Sequence, residues 1–170
     1  IVQAMRKMGY NSTDDRQVPV GISAVVESVR LLLGEDLSRF GVDLVSNLPP
    51  DMMVVGSEPK LIRALAAFVQ NSIEVVARTS PEVKKLILIE NFATVVSSDK
   101  KECVLSIEDS GAGVASQHEE KLFEPFFSTK EIGQGLGLGL ALAKESVESM
   151  SGRVEYAGQG RLGGARFFVT

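Results

Sequence analysis

Apolar residues along this chain recur with two different periods. Ile22, Val25, Val26, Val29, Leu32 and Leu33 keep helical spacing, which predicts an amphipathic helix over 22–33. Leu61, Ile62, Leu65, Phe68, Val69, Ile73 and Val76 form the most apolar helical stripe. Ser57 stands at its cap position and Pro59 just inside its start. Pro81 bars any continuation. A third helix is predicted over 138–150, closed by Gly152. Shorter runs at 18–20, 42–48 and 52–55 predict strands, the second stopped by Pro49-Pro50. Two long strands follow at 85–96 and 102–108, joined by a polar turn at 97–101. The last strands, 153–157 and 165–170, flank a glycine-rich turn at 158–164. Residues 110–117 read as a loop, and 119–134 as irregular with Pro125 in the middle. Ile1, Val2, Met5 and Met8 give a short helical stripe, and the polar 11–17 stretch reads as a linker. Neighbouring strands on short turns, mixed with helices, imply a mixed or antiparallel sheet with helices on one face.

Composition narrows the class. With 170 residues, one domain is expected, large enough for a core and a small-molecule pocket. A net charge of −4 argues against a general nucleic-acid binder, but not against a phosphate site built from backbone amides. The lone Cys103 cannot form an internal disulfide, which fits a reducing compartment. No run approaches the length of a membrane span, and no signal peptide is seen. A start at Ile1 and an end at Thr170 inside an apolar run lead us to expect a piece of a longer protein. That parent has room for a membrane anchor of its own.

Four segments carry candidate chemistry. Asp109 lies where a strand gives way to Ser110-Gly111-Ala112-Gly113. A carboxylate only accepts hydrogen bonds. It would therefore welcome the N6 amino group of adenine and repel the O6 acceptor of guanine. Gly111 and Gly113 would let the backbone approach a flat base; an ordinary Asp-Ser-Gly turn is the competing reading. The run Gly133-Gln134-Gly135-Leu136-Gly137-Leu138-Gly139 leads straight into the third helix. Successive amides before a helix N-terminus suit an anion, with Leu136, Leu138 and Leu140 expected to anchor the loop to the core. No Gly-Lys-Ser/Thr ends the run, so it is not a P-loop, and it fails the dinucleotide fingerprint. A flexible turn before a helix is the alternative. Asn71 sits on the most apolar helix. It is either a hard oxygen ligand for Mg²⁺ or a residue of that helix's polar side. Finally, Phe123, Phe126 and Phe127 cluster in an irregular segment that ends at Lys130. They suggest a loop pinned by aromatic anchors, a possible lid at 131–134, and an ammonium within reach of a phosphate. A packed loop with an exposed lysine is the plainer version.

In chain order, the four segments resemble the N box (Asn71), G1 box (Asp109), F box (121–130) and G2 box (133–139) of the histidine-kinase catalytic domain. That family shares the Bergerat ATP-binding fold with gyrase, MutL and a heat-shock chaperone. The resemblance covers residues 18–170 as one catalytic ATP-binding domain. Residues 1–17 are left as a linker and the possible tail of a missing dimerisation helix. It implies a two-layer α/β sandwich, with a mixed, mostly antiparallel sheet backed by about three helices. It further implies an enzyme, a protein-histidine kinase of a two-component system. Asn71 and Lys130 would be catalytic, with Asn71 on Mg²⁺ and Lys130 near the γ-phosphate. Asp109, Gly111 and Gly113 would hold adenine, and Gly135, Leu136, Gly137, Leu138 and Gly139 would line the phosphates. The γ-phosphoryl group of ATP would pass to a histidine on a dimerisation domain of the same parent, and then to a response regulator. No nucleic acid or membrane contact is implied for this fragment, and a cytoplasmic, monomeric state is expected of it.

Departures from the family pattern bear on this. Hydrolytic branches of the superfamily carry a glutamate one turn before the magnesium asparagine, where this chain has Ala67. With no base there, rapid ATP hydrolysis of the gyrase kind is disfavoured. Glu74 replaces a frequent basic residue, Ser72 a frequent alanine, and Leu136 a frequent threonine or serine. The only histidine, His118, lacks the Arg-x-Pro context of a phosphoacceptor and reads as a solvated loop residue. A non-catalytic ATP-binding regulatory module, a degenerate kinase or an anti-sigma-like protein, is the alternative function.

Overall fold

The computed structural model describes residues 16–96, 101–130 and 136–170. The stripe at 1–9, most of the 11–17 linker, the turn at 97–100, the 131–134 stretch, Gly133 and Gly135 lie outside these. In chain order the elements are β1 (Val18–Gly21), α1 (Ile22–Leu32), α2 (Gly34–Phe40), β2 (Asp43–Asn47), β3 (Met53–Gly56), α3 (Glu58–Val76), β4 (Leu86–Val96), β5 (Lys101–Asp109), α4 (Ser116–Glu119), α5 (Gly139–Glu148), β6 (Val154–Gln159) and β7 (Ala165–Val169).

Strands β1 and β3 pair antiparallel as a small separate sheet. The main sheet has the order β2-β4-β5-β7-β6. Only β2 and β4 run parallel, with α3 in the connection between them; a parallel pair needs such a crossover. The remaining pairs are antiparallel, as expected from short turns for β4 with β5 and for β6 with β7, whereas β5 and β7 meet through a long connection. Alternation along the strands sends Ile87, Ile89, Leu105, Ile107 and Phe167 into the core. There they meet Val25, Val26 and Val29 of α1, Phe68, Val69, Ile73 and Val76 of α3, and Ala143 and Val147 of α5. Phe68 meets Phe167 with ring centroids 5.3 Å apart. Each such side chain contributes about 1.5–3 kcal/mol by leaving water. This is the expected two-layer arrangement, a mixed and mostly antiparallel sheet with α1, α3 and α5 as its three long helices.

The sequence reading needs four adjustments here. It leaves out α2, which has apolar residues only at Leu37 and Phe40 and begins with a glycine. Gly41, left-handed at φ 64°, ends α2, and the Val42 N–H reaches back to the Leu37 carbonyl at 2.9 Å. Leu32 is 64% exposed and takes no part in the core stripe. Ser57 does occupy the cap position of α3, but its side chain makes no capping hydrogen bond, and its N–H donates to Met150 Sδ at 3.2 Å. His118 sits in the single turn of α4, half-buried with its ring 5.5 Å from that of Phe127, rather than in a solvated loop. Among the described residues, no helix is long and apolar enough to cross a membrane.

Candidate nucleotide site

The site is organised around α3. Its inner stripe is fixed by the core, and this fixes the direction of Asn71, Ser72 and Glu74 at its C-terminal half. Ser72 is buried, and its Oγ donates to Asp109 Oδ2 at 3.1 Å. Asp109 ends β5 and is itself buried. Its Oδ1 accepts from the Gly111 N–H at 2.9 Å and from the Ala165 N–H at 3.2 Å. Burial pushes the Asp109 carboxyl above the usual aspartate range, and these three donors pull it part of the way back. Oδ1 thus carries two amide bonds, whereas Oδ2 carries a single hydroxyl bond. A carboxylate oxygen has two lone pairs, so Oδ2 retains the capacity to accept from a ligand amino group.

Glycines crowd this carboxylate. A Cβ on Gly111 would run into Val75 and lie 2.9 Å from Asp109 Oδ1. A Cβ on Gly164 would collide with the carboxylate and carbonyl oxygens of Asp109 and lie 2.6 Å from the Gly111 nitrogen. Gly113 has φ 75° and closes the loop beside 163–164. Thus Gly164 and Ala165, at the mouth of β7, belong to the carboxylate's surroundings as much as Gly111 does. The sequence marks both only as part of 163–170, which resembles the family's closing strand, and assigns neither to the site.

The phosphate side is built from two interlocked loops. The Phe126 N–H donates to the Gly137 carbonyl at 2.9 Å. A Cβ on Gly137, which has φ 63°, would strike the Phe127 carbonyl. Phe126 itself has φ 68°, a rare conformation for a non-glycine residue. Leu138 then takes the cap position of α5 and cannot cap it, so among the described residues no side-chain cap hydrogen bond holds the start of this helix. Open space surrounds the missing Cβ of Gly139. Uncapped amides at the positive end of a helix, beside room for a ligand, suit an anion.

Two expected anchors are not anchors. Leu136 is 57% exposed and Phe126 is 68% exposed. The loop is instead held by the backbone interlock, by Phe123 against Phe167 at 6.2 Å, and by Leu140 against the core. An apolar residue in a loop is not thereby a buried one.

Asn71 is half-buried, and no described residue hydrogen-bonds its amide. Ala67, one turn earlier on the same face, offers only a methyl group. Glu74, one turn later, pairs through Oε2 with Lys130 Nζ. The structure thus brings Asn71, Glu74 and Lys130 to one face of α3, and Asp109 to the neighbouring one. Among the described residues, no group of three His, Cys, Asp or Glu could cage a metal. An asparagine oxygen without a partner among the described residues fits Mg²⁺, which keeps several waters and binds phosphates alongside one or two protein oxygens.

Comparison with known proteins gives the family and the fold. Residues 56–170 match the family described as histidine kinase-, DNA gyrase B- and HSP90-like ATPase. The sensor protein TdiS of Thauera aromatica is 28% identical over 164 residues, covering 96% of this chain and 29% of TdiS. The chain spans under a third of the length of the first curated relatives it matches. Among solved structures, the catalytic domain of histidine kinase ThkA aligns with a TM-score of 0.70 and 21% identity, covering 89% of this chain and 94% of that one. Full-length ShkA in complex with AMPPNP aligns with a TM-score of 0.71 and 22% identity, covering 99% of this chain and 33% of that one. From the family match over 56–170, this chain belongs to the histidine kinase-, DNA gyrase B- and HSP90-like ATPases, as an ATP-binding catalytic domain of the sensor-kinase kind.

Proposed function

We propose that this domain binds Mg-ATP and passes the γ-phosphoryl group to a histidine on a dimerisation domain of its parent protein, for onward transfer to a response regulator. The observation that carries the reading is the buried Asp109 carboxylate, held by Ser72, Gly111 and Ala165 with acceptor capacity left on Oδ2. It selects an adenine amino group over a guanine carbonyl. Gly111 and Gly113 keep the path to the base flat. Gly135, Leu136, Gly137, Leu138 and Gly139 would line the phosphates, a role supported by the uncapped N-terminus of α5 that follows them. Asn71 would hold the metal, and Lys130 the terminal phosphate. A bound Mg²⁺ would neutralise phosphate charge and align the triphosphate.

In the transfer, a ring nitrogen of the acceptor histidine forms a bond to the γ-phosphorus. The bond from that phosphorus to the β–γ bridging oxygen breaks, and ADP leaves with the electron pair. The protein's own part is positioning and charge neutralisation. Ala67 supplies no base one turn before Asn71, which disfavours loss of the phosphoryl group to hydrolysis. A cytoplasmic location follows from this role.

Calorimetric titration with ATP and with GTP, each with and without Mg²⁺, tests the site. Mixing with the parent's dimerisation domain and assaying acid-labile phosphohistidine tests the chemistry. ATP binding without GTP binding, followed by phosphohistidine, is expected. ATP binding with no phosphohistidine would replace the kinase with a non-catalytic regulatory module.

A further inference from the structure

Glu74 introduces a negative charge on the face of α3 where a polyphosphate is expected. It lies one helical turn beyond Asn71, so the two side chains share a face. Its Oε2 pairs with Lys130 Nζ, the two side chains being 32% and 22% exposed. Its Oε1 receives a long hydrogen bond of 3.5 Å from Gln70 Nε2. The Lys130 N–H is held by Ser128 Oγ at 3.1 Å, which sets where the lysine leaves the chain. Residues 74 and 130 are far apart in sequence, so this contact ties the end of the aromatic loop directly to the asparagine helix.

The charge balance has a consequence. The ion pair sums to zero, so Lys130 offers an incoming triphosphate no net positive charge while Glu74 holds it. Bare ATP carries several negative charges and meets a carboxylate on the same face as Asn71. A divalent cation on the phosphates would offset that repulsion: Glu74 would attract the cation, and Lys130 would be released to the phosphates. Resting on the nucleotide-site reading above, we propose that Glu74 is a positioning and specificity-determining residue that docks Lys130 on α3 and makes ATP binding depend on a divalent cation.

Two variants approach the pair from opposite sides. Glu74→Gln removes the carboxylate and frees the ammonium. Lys130→Met leaves the carboxylate alone. The first readout needs no nucleotide: the rate at which an N-hydroxysuccinimide acetate reagent acetylates Lys130, followed by peptide mass spectrometry. Loss of the shielding contact in Glu74→Gln is expected to raise that rate about threefold, in keeping with a partly exposed pair. The second readout is the ratio of the ATP Kd in EDTA to the Kd in Mg²⁺. It is expected to fall about threefold or more in Glu74→Gln, mainly through tighter metal-free binding, and to rise in Lys130→Met. Unchanged acetylation, or a ratio that stays at the wild-type value in both variants while wild type binds ATP, overturns the role of Glu74 and leaves the nucleotide site standing. Wild type that binds ATP in neither condition overturns the nucleotide site and the specificity role with it, even where the acetylation result still reports the pair.

Discussion

Ser72 Oγ donates to Asp109 Oδ2 at 3.1 Å, both side chains buried, and so fastens the C-terminal half of the core helix to the end of the central strand. Ser72 also neighbours Asn71 in the chain. The same helical turn therefore fixes the carboxylate expected to read adenine and points the amide expected to hold the metal. Asp109→Asn is expected to preserve the fold, because the amide oxygen can still accept from Gly111 and Ala165 while the amino group donates to the Ser72 hydroxyl. It removes the acceptor for the adenine amino group and puts a donor in its place. ATP affinity should fall roughly 10- to 100-fold or more, with circular dichroism and melting temperature close to wild type. Wild-type ATP affinity in this variant would remove Asp109 from the site.

Asp109 also sets a pH dependence. Burial raises its pKa above the ordinary aspartate value, against the pull of three hydrogen bonds. The ionised form is the adenine acceptor, so binding is complete above the raised value and is lost as pH falls through it. The loss should therefore begin at a higher pH than an ordinary aspartate would give. Stability moves the other way for this group. The folded state holds the proton more tightly than the unfolded one, so its contribution favours folding at acid pH and declines as pH rises from the unfolded pKa through the folded one. Titrating ATP and measuring urea unfolding, each from about pH 7 to about pH 4, with Asp109→Asn as the reference lacking the Asp109 contribution, checks the two signs.

How much of this was legible follows from the range over which each feature is encoded. The stripe of α3 repeats over 19 residues and could be read directly. The seven-residue α2 could not: two apolar positions make no period, and the left-handed Gly41 and the burial of Leu37 hold it in place. Asp109 stood out because a strand end beside two glycines is a local signal. Its partner Ala165 lies 56 residues away, and Gly164 beside it gave only a faint local one. Lys130 and Glu74 are likewise separated by 56 residues; the resemblance assigns each a place, but their pairing is visible only in the fold. Phe126 and Leu136 misled because hydrophobicity predicts burial within a periodic element and not within a loop.

Gly164 has the tightest surroundings near the carboxylate. Its N–H donates to the Asp109 carbonyl at 3.0 Å, and a Cβ would overlap both that carbonyl and Oδ1. Backbone on one side and a hydrogen-bonded carboxylate on the other leave little room to yield. Gly164→Ala should cost about 1–3 kcal/mol, a fall of roughly 2–4 °C in Tm per kcal/mol for a domain of this size. It should also displace Asp109 and weaken ATP binding beyond what lost stability explains. Thermal melts together with ATP titration well below Tm separate the two effects.

Asn71→Ala addresses the metal. The amide has no described hydrogen-bond partner to strand, so its removal should alter stability by less than about 1 kcal/mol, as at other non-core positions. Mg²⁺ should then no longer strengthen ATP binding, and the Kd values in Mg²⁺ and in EDTA should converge. A metal enhancement equal to wild type in Asn71→Ala would place the cation elsewhere.

Gly137 tests the interlock between the aromatic loop and the glycine loop. Its φ of 63° is strained for any L-residue with a side chain, and a Cβ would press into the Phe127 carbonyl and lie 2.7 Å from the Phe126 carbonyl carbon. Alanine must therefore push the loops apart or change the backbone, and either movement breaks the bond from the Phe126 N–H to the Gly137 carbonyl. The site pays twice, because that bond also fixes where α5 begins and hence where its uncapped amides point. The core lies behind Leu140 and Ala143 and is untouched by the change, so the melting transition should stay cooperative with a drop of about 1–2 kcal/mol from the left-handed backbone. Affinity for ATP should fall more steeply than affinity for adenosine, since Asp109 is undisturbed and the phosphate contacts are not. Equal losses for the two ligands would mean that the glycine loop does not hold the phosphates.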